Sequence, residues 1–549
     1  MPLPGHVTLP AEVQREHDAA VAEIRRAYQA IPPGARIRLA KRTSNLFRFR
    51  DPAPAAAQAS TATDPAPAAA HIPTASDHAP GPAGQATTAT DPAPAAAHIP
   101  TATDHAPGAA GPTATGHAPG PAGQATTATG HAPSHTPAPS GALDASAFAH
   151  VLHVDPDARI AVVGGLTTYE HLVDATLPHG LMPLVVPQLK TITLGGAVTG
   201  LGIESTSLRS GMPHESVLSM EILTGDGRVV TAAPGNEHAD LYRGFPNSYG
   251  TLGYALTLTI ELEPVRPYVH LRHFRFNNPA ACMEAIAQIA EHGDYHGHRA
   301  DFVDGTAFSL DELYLTVGAF SDVAPWLSDY TGQDIYYKSL RGPQEDFLTI
   351  RDYLWRWDTD WFWCSRPFGV QNPLVRKLWP RKYRRSDVYR KLVAFERRHG
   401  LTDVLNARRG APPREAVIQD VEINVKRGAD FLRFFDANVG MSPVWLCPLR
   451  LRSDRTWPLY PLAPGEVYVN FGFWGTVPLP PGRENGYHNR LVEDEVSALG
   501  GNKGLYSTSF YTEDQFWANY NGPAYAALKG EYDADGRLAG LYEKCVRGR

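Results

Sequence analysis

The spacing of hydrophobic residues along this chain changes several times between the period of a helix and that of a strand. Apolar residues recur every three or four positions from Glu12 to Ile31, and the Pro-Pro-Gly sequence that follows would end such a helix. From Val151 to Gly165, two apolar runs flank the turn sequence Asp-Pro-Asp-Ala, which predicts two strands. Helical spacing returns from Thr168 to Leu177. The first half of the chain therefore predicts helices and strands in succession.

A second mixed pattern follows Pro264. Residues Pro279–His292 have helical spacing, whereas the stretches near Phe302 and from Leu313 to Phe320 have the apolar content of strands. Upstream, Ser219–Val230 reads as a strand, a Gly-Asp-Gly turn and another strand. Because both halves mix the two kinds of element, the sequence predicts an α+β fold.

Between Asp51 and Gly141 the composition changes abruptly. This stretch is made almost entirely of Ala, Pro, Thr, Gly, His and Asp, and the segment Ala62–Ala75 recurs from Ala89. Such a composition buries too little apolar surface to offset the entropy lost on ordering, so we expect residues 51–141 to be a disordered insertion. The spacing of its histidines is too loose for a metal site, and we expect no metal.

Composition narrows the class of protein. The chain has 549 residues, 19% of them charged, and a formal net charge of −7, which argues against general nucleic-acid binding. Its four cysteines lack the spacing of a metal site or a disulfide framework. We find neither a signal-peptide pattern nor a run of about 18 apolar residues, so we expect a cytoplasmic protein.

The segment from Pro183 to Ser207 is rich in glycine and small hydroxyl residues. It contains Gly195, Gly196, Gly200 and Gly202 within a short span. Glycine lets a backbone approach a flat ligand closely and turn its N–H groups toward phosphate or ring heteroatoms. A plain tight turn is the alternative interpretation of these residues taken by themselves.

The amino-acid sequence of this segment resembles the second flavin-contacting stretch of the FAD-linked oxidases with the vanillyl-alcohol-oxidase (PCMH-type) fold. Within that superfamily the chain is similar to the Δ24-sterol reductase branch, and also to bacterial 10-methylene fatty acyl reductases of methyl-branched fatty acid synthesis. Further blocks resemble that branch in the same order along the chain: Asp240–Tyr254, Pro443–Leu449, Tyr468–Trp474 and Glu513–Trp517.

The resemblance implies a domain organisation. Residues 1–50 would form an N-terminal helix and the first part of a two-part PCMH-type FAD-binding domain. Residues 142–265 would complete that domain after the insertion. Residues 266–549 would form an α+β substrate-binding cap domain with the C-terminal elements.

The resemblance also implies which residues contact FAD. A first loop, Lys41–Asn45, has residue types that suit phosphate contact, although a basic surface turn is the alternative. This loop lacks the histidine that some relatives join covalently to FAD, so we expect a non-covalent flavin. The expected contacts are Lys41, Arg42, Thr43, Ser44, Asn45, Pro187, Thr193, Gly195, Gly196, Ala197, Thr199, Gly200, Gly202, Ile203, Glu204, Ser205, Gly250, Thr251 and Gly253.

The implied activity is reduction of a carbon–carbon double bond in a lipid, with NADPH as hydride donor. The expected substrate is a 10-methylene fatty acyl chain, made by a partner methyltransferase and reduced to the 10-methyl product. The alternatives are a Δ24-sterol-type reductase and an FAD-dependent alcohol or sugar oxidase or dehydrogenase of the same fold. A flavoprotein without catalytic activity, with the insertion as a tether, is an alternative of another class.

Alkene reduction needs a proton donor beside the flavin. By position in the flavin segment, Glu204 is a candidate, with Ser205 beside it. On predicted cap-domain strands, alternate residues could face the ring, and the candidates there are Glu466, Tyr468, Tyr506 and Tyr511. For each residue taken singly, a structural role is the alternative.

Residues 366–385 combine cations with apolar side chains. Six of these cations are Arg376, Lys377, Arg381, Lys382, Arg384 and Arg385. The apolar side chains include Phe368, Leu374, Leu378, Trp379 and Tyr383. Such a mixture can seat a protein on an anionic bilayer, here the inner face of the plasma membrane. A solvated basic loop with a tryptophan anchored in the core is the equally weighted alternative.

Overall fold

Two antiparallel sheets, formed by successive parts of the chain, carry most of the hydrophobic core. The computed structural model of the protein describes residues 8–40, 140–399, 408 and 410–548. The predicted insertion at 51–141 lies almost wholly outside these described residues, as does the predicted first FAD loop, Lys41–Asn45.

The first sheet has six strands, with β8 at its centre. Its order is β3-β4-β8-β6-β7, and β5 also pairs with β8. A short parallel pair, β1 and β2, lies outside this sheet. The strands of this half are β1 (Arg36–Leu39), β2 (Ser140–Leu143), β3 (Val151–Asp155), β4 (Ile160–Gly164), β5 (Leu181–Pro183), β6 (Val217–Thr224), β7 (Val229–Ala232) and β8 (Gly253–Pro264).

The second sheet has eight strands in the order β14-β9-β13-β12-β16-β17-β15-β18. A separate two-residue hairpin, β10 with β11, precedes β12. The strands are β9 (Tyr268–Phe276), β10 (Asp294–Tyr295), β11 (His298–Arg299), β12 (Phe302–Ser309), β13 (Glu312–Ser321), β14 (Glu345–Thr349), β15 (Arg414–Asn424), β16 (Val444–Leu449), β17 (Tyr468–Pro478) and β18 (Asn502–Lys503).

Helices cover both sheets. Their bounds are Ala11–Gln29, Tyr169–Thr176, Leu194–Gly200, Ser207–Ser210, Ala239–Gly244, Pro279–His292, Tyr336–Ser339, Ile350–Trp355, Pro373–Leu378, Ser386–His399, Val425–Asn438, Tyr487–Ala498, Glu513–Asn519, Gly522–Tyr532 and Leu541–Cys545. In the described ranges, none of them combines the length and the apolar composition that crossing a bilayer requires.

Local sequence signals explain where these elements begin and end. Asn278 caps the helix Pro279–His292 by accepting a hydrogen bond from the N–H of Ala281, and Gly293 ends it with a φ of 74°. Thr168 caps Tyr169–Thr176 in the same way. These helices and the paired strands β3–β4, β6–β7 and β12–β13 confirm the predicted α+β fold.

The C-terminal helices pack against the first half of the chain. Tyr532 donates a hydrogen bond to Asp240 (2.9 Å), Lys529 to the carbonyl of Thr251 (2.8 Å) and Lys544 to that of Tyr249 (2.6 Å). The domain organisation that the resemblance implies groups these helices with the cap domain. No local sequence signal indicates contacts between residues so distant in the chain.

A buried ion cluster joins the two halves. Arg356 donates to Asp304 on β12 (2.7 Å), and its guanidinium lies 3.5 Å from the carboxyl of Glu204, which follows the glycine-rich segment. The indole N–H of Trp357 also donates to Asp304 (3.0 Å). Since the Arg356 guanidinium is buried, its charge depends on these two carboxyl groups for compensation.

We predict that Asp304→Ala lowers the free energy of unfolding by about 3–5 kcal/mol, because it leaves the Arg356 charge buried without its partner. Urea denaturation followed by circular dichroism measures the loss. The matched control is Asp322→Ala, which breaks an exposed pair with Arg266 and should cost less than about 1 kcal/mol. Equal losses for the two variants would contradict this role for the cluster.

Candidate active site

A cavity of about 510 Å³ lies where the glycine-rich segment of the first half faces strands of the second sheet. Glycines and small side chains form one wall, whereas aromatic rings and two carboxyl groups form the other. Its size is within the range of cofactor and ligand sites, which are mostly apolar with a few polar groups. The cavity is therefore the candidate binding site for a cofactor or substrate.

Most of the predicted FAD contacts line this cavity. They are Pro187, Thr193, Gly195, Gly196, Ala197, Thr199, Gly200, Gly202, Ile203, Gly250 and Gly253. The hydroxyl of Thr193 accepts a hydrogen bond from the N–H of Gly196 (3.2 Å), so Thr193 caps the short helix Leu194–Gly200. A Cβ atom on Gly195 would lie only 2.7 Å from the carbonyl oxygen of Gly165, so this close approach requires glycine.

Three other predicted contacts lie away from the cavity wall. Glu204 and Ser205 are buried behind the segment, where the Ser205 hydroxyl donates to Glu204 (2.7 Å) and Glu204 joins the Arg356 cluster. Thr251 is buried and donates to the carbonyl of Ser248 (2.7 Å). The chain turns away from the cavity after Ile203, which a linear pattern does not reveal.

Four aromatic side chains form the apolar wall: Trp361, Phe362, Trp445 and Trp474. The Phe362 ring lies 4.4 Å from the Trp474 ring and 5.3 Å from that of Trp445, centroid to centroid. Trp361 and Phe362 also have positive φ angles (45° and 59°), a conformation that bulky residues rarely adopt. The backbone is thus held in an uncommon turn that places both rings at the cavity.

Two carboxyl groups face the cavity from β15. Asp420 and Glu422 are two residues apart on the strand, so their side chains point to the same face. Asn470, opposite Glu422 on β17, donates to Asp420 (2.9 Å), and the Tyr460 hydroxyl donates to Glu422. These residues form the polar part of an otherwise apolar wall.

Burial favours the protonated form of both carboxyl groups. It raises the pKa of Asp420 to about 6, whereas hydrogen bonds from Asn470 and Tyr506 act in the opposite direction. Burial and the neighbouring Asp420 charge together raise the pKa of Glu422 well above its usual value. The raised pKa favours the protonated form of Glu422, which can donate a proton.

The sequence did not single out this pair. The available signal was two acids at alternate positions of a strand, with Val421 and Ile423 on the opposite, buried face. Exposed strands have the same pattern, and only the pairing of β15 with β17 shows that this face meets a cavity. Trp361 and Phe362 were missed as well, since their turn is not evident from composition.

The structure does not bring the predicted proton donors to the cavity wall, apart from Tyr506. Tyr468 shares the face of Asn470 on β17, but its hydroxyl lies beyond the cavity and accepts a hydrogen bond from the Ala463 N–H (3.1 Å). Tyr511 is buried in a loop, with its ring 6.3 Å from that of Tyr520. Tyr506 lines the cavity, and its hydroxyl accepts from the Trp474 indole (2.8 Å).

Glu204 and Glu466, which were also predicted as proton donors, lie away from the cavity for different reasons. Burial raises the pKa of Glu204 to about 7, but its carboxyl serves the Arg356 cluster rather than the cavity. Glu466 lies in the loop before β17, where it accepts from Asn424 (2.8 Å) and pairs with Lys426 (3.2 Å) at the surface. Alternate residues share one face of a sheet only within a strand, and Glu466 lies in the loop before β17.

Unpartnered polar atoms at the cavity test whether FAD fits. The side-chain nitrogen of Gln188 and the side-chain oxygen of Asn470 are buried and have no hydrogen-bond partner among the described residues. One is a donor and the other an acceptor, and the flavin ring carries both kinds of group along its polar edge. With the glycine wall and the aromatic wall, the residues present fit a bound FAD.

Comparison with known proteins agrees with this fit. A family model for an FAD binding domain matches residues 121–233, which include the glycine-rich segment. Human Δ24-sterol reductase is 27% identical over 72% of this chain and 76% of its own length. The corresponding figures for Arabidopsis thaliana Δ24-sterol reductase are 25%, 74% and 77%.

A further similarity is confined to a short region. Decaprenylphosphoryl-β-D-ribose oxidase of Mycolicibacterium smegmatis is 32% identical, but over only 22% of this chain and 26% of its own length. Together these findings confirm the predicted class: the protein is an FAD-dependent oxidoreductase. The relatives that it resembles over most of its length are reductases of a sterol Δ24 bond. Among the described residues, no group of His, Cys, Asp and Glu side chains is arranged to hold a metal ion.

We predict that Gly195→Ala lowers the flavin content of the purified protein, because the added methyl group forces the segment away from Gly165. The ratio of flavin absorbance to protein absorbance measures this content. Gly235→Ala is the control, since a Cβ atom there meets nothing within 4 Å. Full flavin content in Gly195→Ala would contradict the assignment of this wall to FAD.

Proposed function

We propose that this protein reduces an isolated carbon–carbon double bond in a lipid, using bound FAD and NADPH as hydride source. The observation that carries the proposal is the buried carboxyl of Glu422, with its raised pKa, in a largely aromatic wall that faces the glycine-rich segment. Saturating an alkene consumes one hydride and one proton, so the site must contain a proton donor. Oxidation of an alcohol would instead need a base at this position.

Bound FAD supplies two-electron hydride chemistry. The chain would hold it through the glycine-rich segment, with Gln188 and Asn470 at its polar edge. In the overall reaction, NADPH and one proton give NADP⁺, and the two alkene carbons each gain one hydrogen.

The other wall would act on the substrate. Trp361, Phe362, Trp445 and Trp474 provide an apolar surface for a hydrocarbon chain and exclude water from the reacting carbons. Glu422 gives its proton to one alkene carbon and regains a proton from solvent afterwards. Asp420 assists because its negative charge keeps the proton on Glu422.

The comparisons favour reduction over oxidation. Similarity to the Δ24-sterol reductases extends over both halves of the chain, whereas similarity to the ribose oxidase covers about a fifth of it. We further propose a 10-methylene fatty acyl chain as the substrate and a methyltransferase as the enzyme that makes it. This finer assignment rests on the resemblance of Val185–Ala197 and Pro246–Gly253 to bacterial reductases of that kind. A Δ24 sterol is the alternative substrate.

We predict that NADPH bleaches the visible flavin band of the purified protein under anaerobic conditions, and that a 10-methylene acyl lipid then restores the band. The saturated 10-methyl lipid is the control and should have no effect. Recovery with a Δ24 sterol alone would shift the substrate assignment to the sterol. A flavin band that NADPH leaves unchanged, but an alcohol bleaches, would contradict the proposed reductase activity.

We predict that Glu422→Gln lowers the rate of alkene reduction by about 10²–10⁴-fold, while reduction of the flavin by NADPH keeps its rate. Stopped-flow absorbance separates the two half-reactions. In the wild type, the alkene step should slow as the pH rises through the raised pKa of Glu422, because only the protonated carboxyl can donate. The variant should lack this dependence.

The matched control is Glu466→Gln, which alters an exposed carboxyl and should leave both half-reactions unchanged. Normal alkene reduction by Glu422→Gln at all pH values would exclude Glu422 as the donor, whereas the NADPH titration of the wild type tests the reductase assignment separately.

A further inference from the structure

The short helix Pro373–Leu378 exposes large apolar side chains. Leu374 is 76% exposed and Leu378 84%, and their spacing of four residues places them on the same side of the helix. Tyr383, shortly after the helix, is 45% exposed. Neighbouring leucines with this exposure are unusual on a protein surface that contacts only water.

Buried arginines hold this helix firmly in place. Arg376 donates two hydrogen bonds to the carboxyl of Asp360 (2.8 and 2.9 Å) and another to the carbonyl of Asp334 (2.8 Å). Arg384 is buried and donates to the carbonyls of Gly332 and Trp379. The helix thus turns Arg376 inward and its leucines outward, contrary to the usual distribution of these residue types.

Three exposed cations lie close in sequence to the exposed leucines. Arg366, Lys377 and Lys382 are exposed, and none of them takes part in an ion pair within the part of the chain that the structure describes. Arg381 and Arg385, in contrast, pair with Asp329 and Glu170. Because residues 366–385 contain no Asp or Glu, the segment that carries the leucines has a net positive charge on a protein whose formal net charge is −7.

We propose that Arg366, Leu374, Lys377, Leu378, Lys382 and Tyr383 form a docking surface for an anionic lipid bilayer. The leucines enter the boundary between headgroups and acyl chains, and the three cations contact lipid phosphates. Charge complementarity identifies this occupant. A second copy of the chain, related by a two-fold axis, would bring the same positive charges together.

The location of this surface suits a lipid enzyme. Trp361 and Phe362, which line the cavity, immediately precede the stretch that carries the docking surface. The same part of the chain thus contributes to the cavity and to the bilayer contact. Membrane binding does not depend on the proposed reaction, so the two can be tested separately.

The test is flotation of the purified protein with vesicles of phosphatidylcholine, with and without phosphatidylglycerol. We expect binding only when phosphatidylglycerol is present, weakening as salt is added. Leu374→Ser/Leu378→Ser should reduce binding by about tenfold or more, because it removes the apolar contact. Leu374→Met/Leu378→Met keeps the apolar surface and should retain binding. Lys377→Gln/Lys382→Gln should reduce binding several-fold and weaken its salt dependence.

The controls keep the result interpretable. Lys426→Gln/Arg433→Gln removes two exposed cations from another helix and should bind as the wild type does. The variants avoid Arg376 and Arg384 because these side chains hold the fold, and thermal melting verifies that each variant is folded. Undiminished binding by the serine variant would overturn the proposal. Concentration-dependent dimerisation that the serine variant abolishes, without vesicle binding, would overturn it in favour of a second copy.

Discussion

The burial of two carboxyl groups on one strand is the constraint on which the proposed chemistry depends. A carboxylate in an apolar cavity is costly unless it is neutralised or paired, and two of them on one face cannot both ionise cheaply. Asn470 donates a hydrogen bond to Asp420, whereas Glu422 receives one from Tyr460 and has a pKa well above its usual value. The proposed proton donor thus lies in the same cavity as the aromatic side chains that are proposed to contact the hydrocarbon.

This arrangement exists only because the two halves of the chain meet. The glycine-rich segment comes from the first half and the carboxyl pair from the second, so neither forms the cavity alone. The Arg356 cluster fixes their separation, since it joins Glu204 behind the glycine-rich segment to Asp304 on β12. Glu204 therefore contributes by positioning the wall on which the proposed FAD site depends, although its side chain does not face the cavity.

Local signals were sufficient for most of the elements, whereas the residues of the glycine wall followed from the family resemblance. Thr193, Gly195 and Gly253 could be placed in this way because short glycine-containing sequences carry the resemblance, and all three line the cavity. The carboxyl pair Asp420 and Glu422 could not be identified from the sequence, since the cavity face of β15 is set by its register with β17. Glu466 and Tyr511 have suitable chemistry but lie in loops, and the cationic segment 366–385 contains structural arginines that its composition does not distinguish from exposed lysines.

The neutral state of Glu422 is the central claim, and infrared difference spectroscopy tests it most directly. The carbonyl stretch of a protonated carboxyl group is separate from the bands of carboxylates and amides, so the spectrum of the wild type minus that of Glu422→Gln isolates this residue. The account predicts a protonated-carboxyl band at pH 7 that belongs to Glu422. Carboxylate bands in its place would show that Glu422 is ionised, and would contradict the proposed source of the proton.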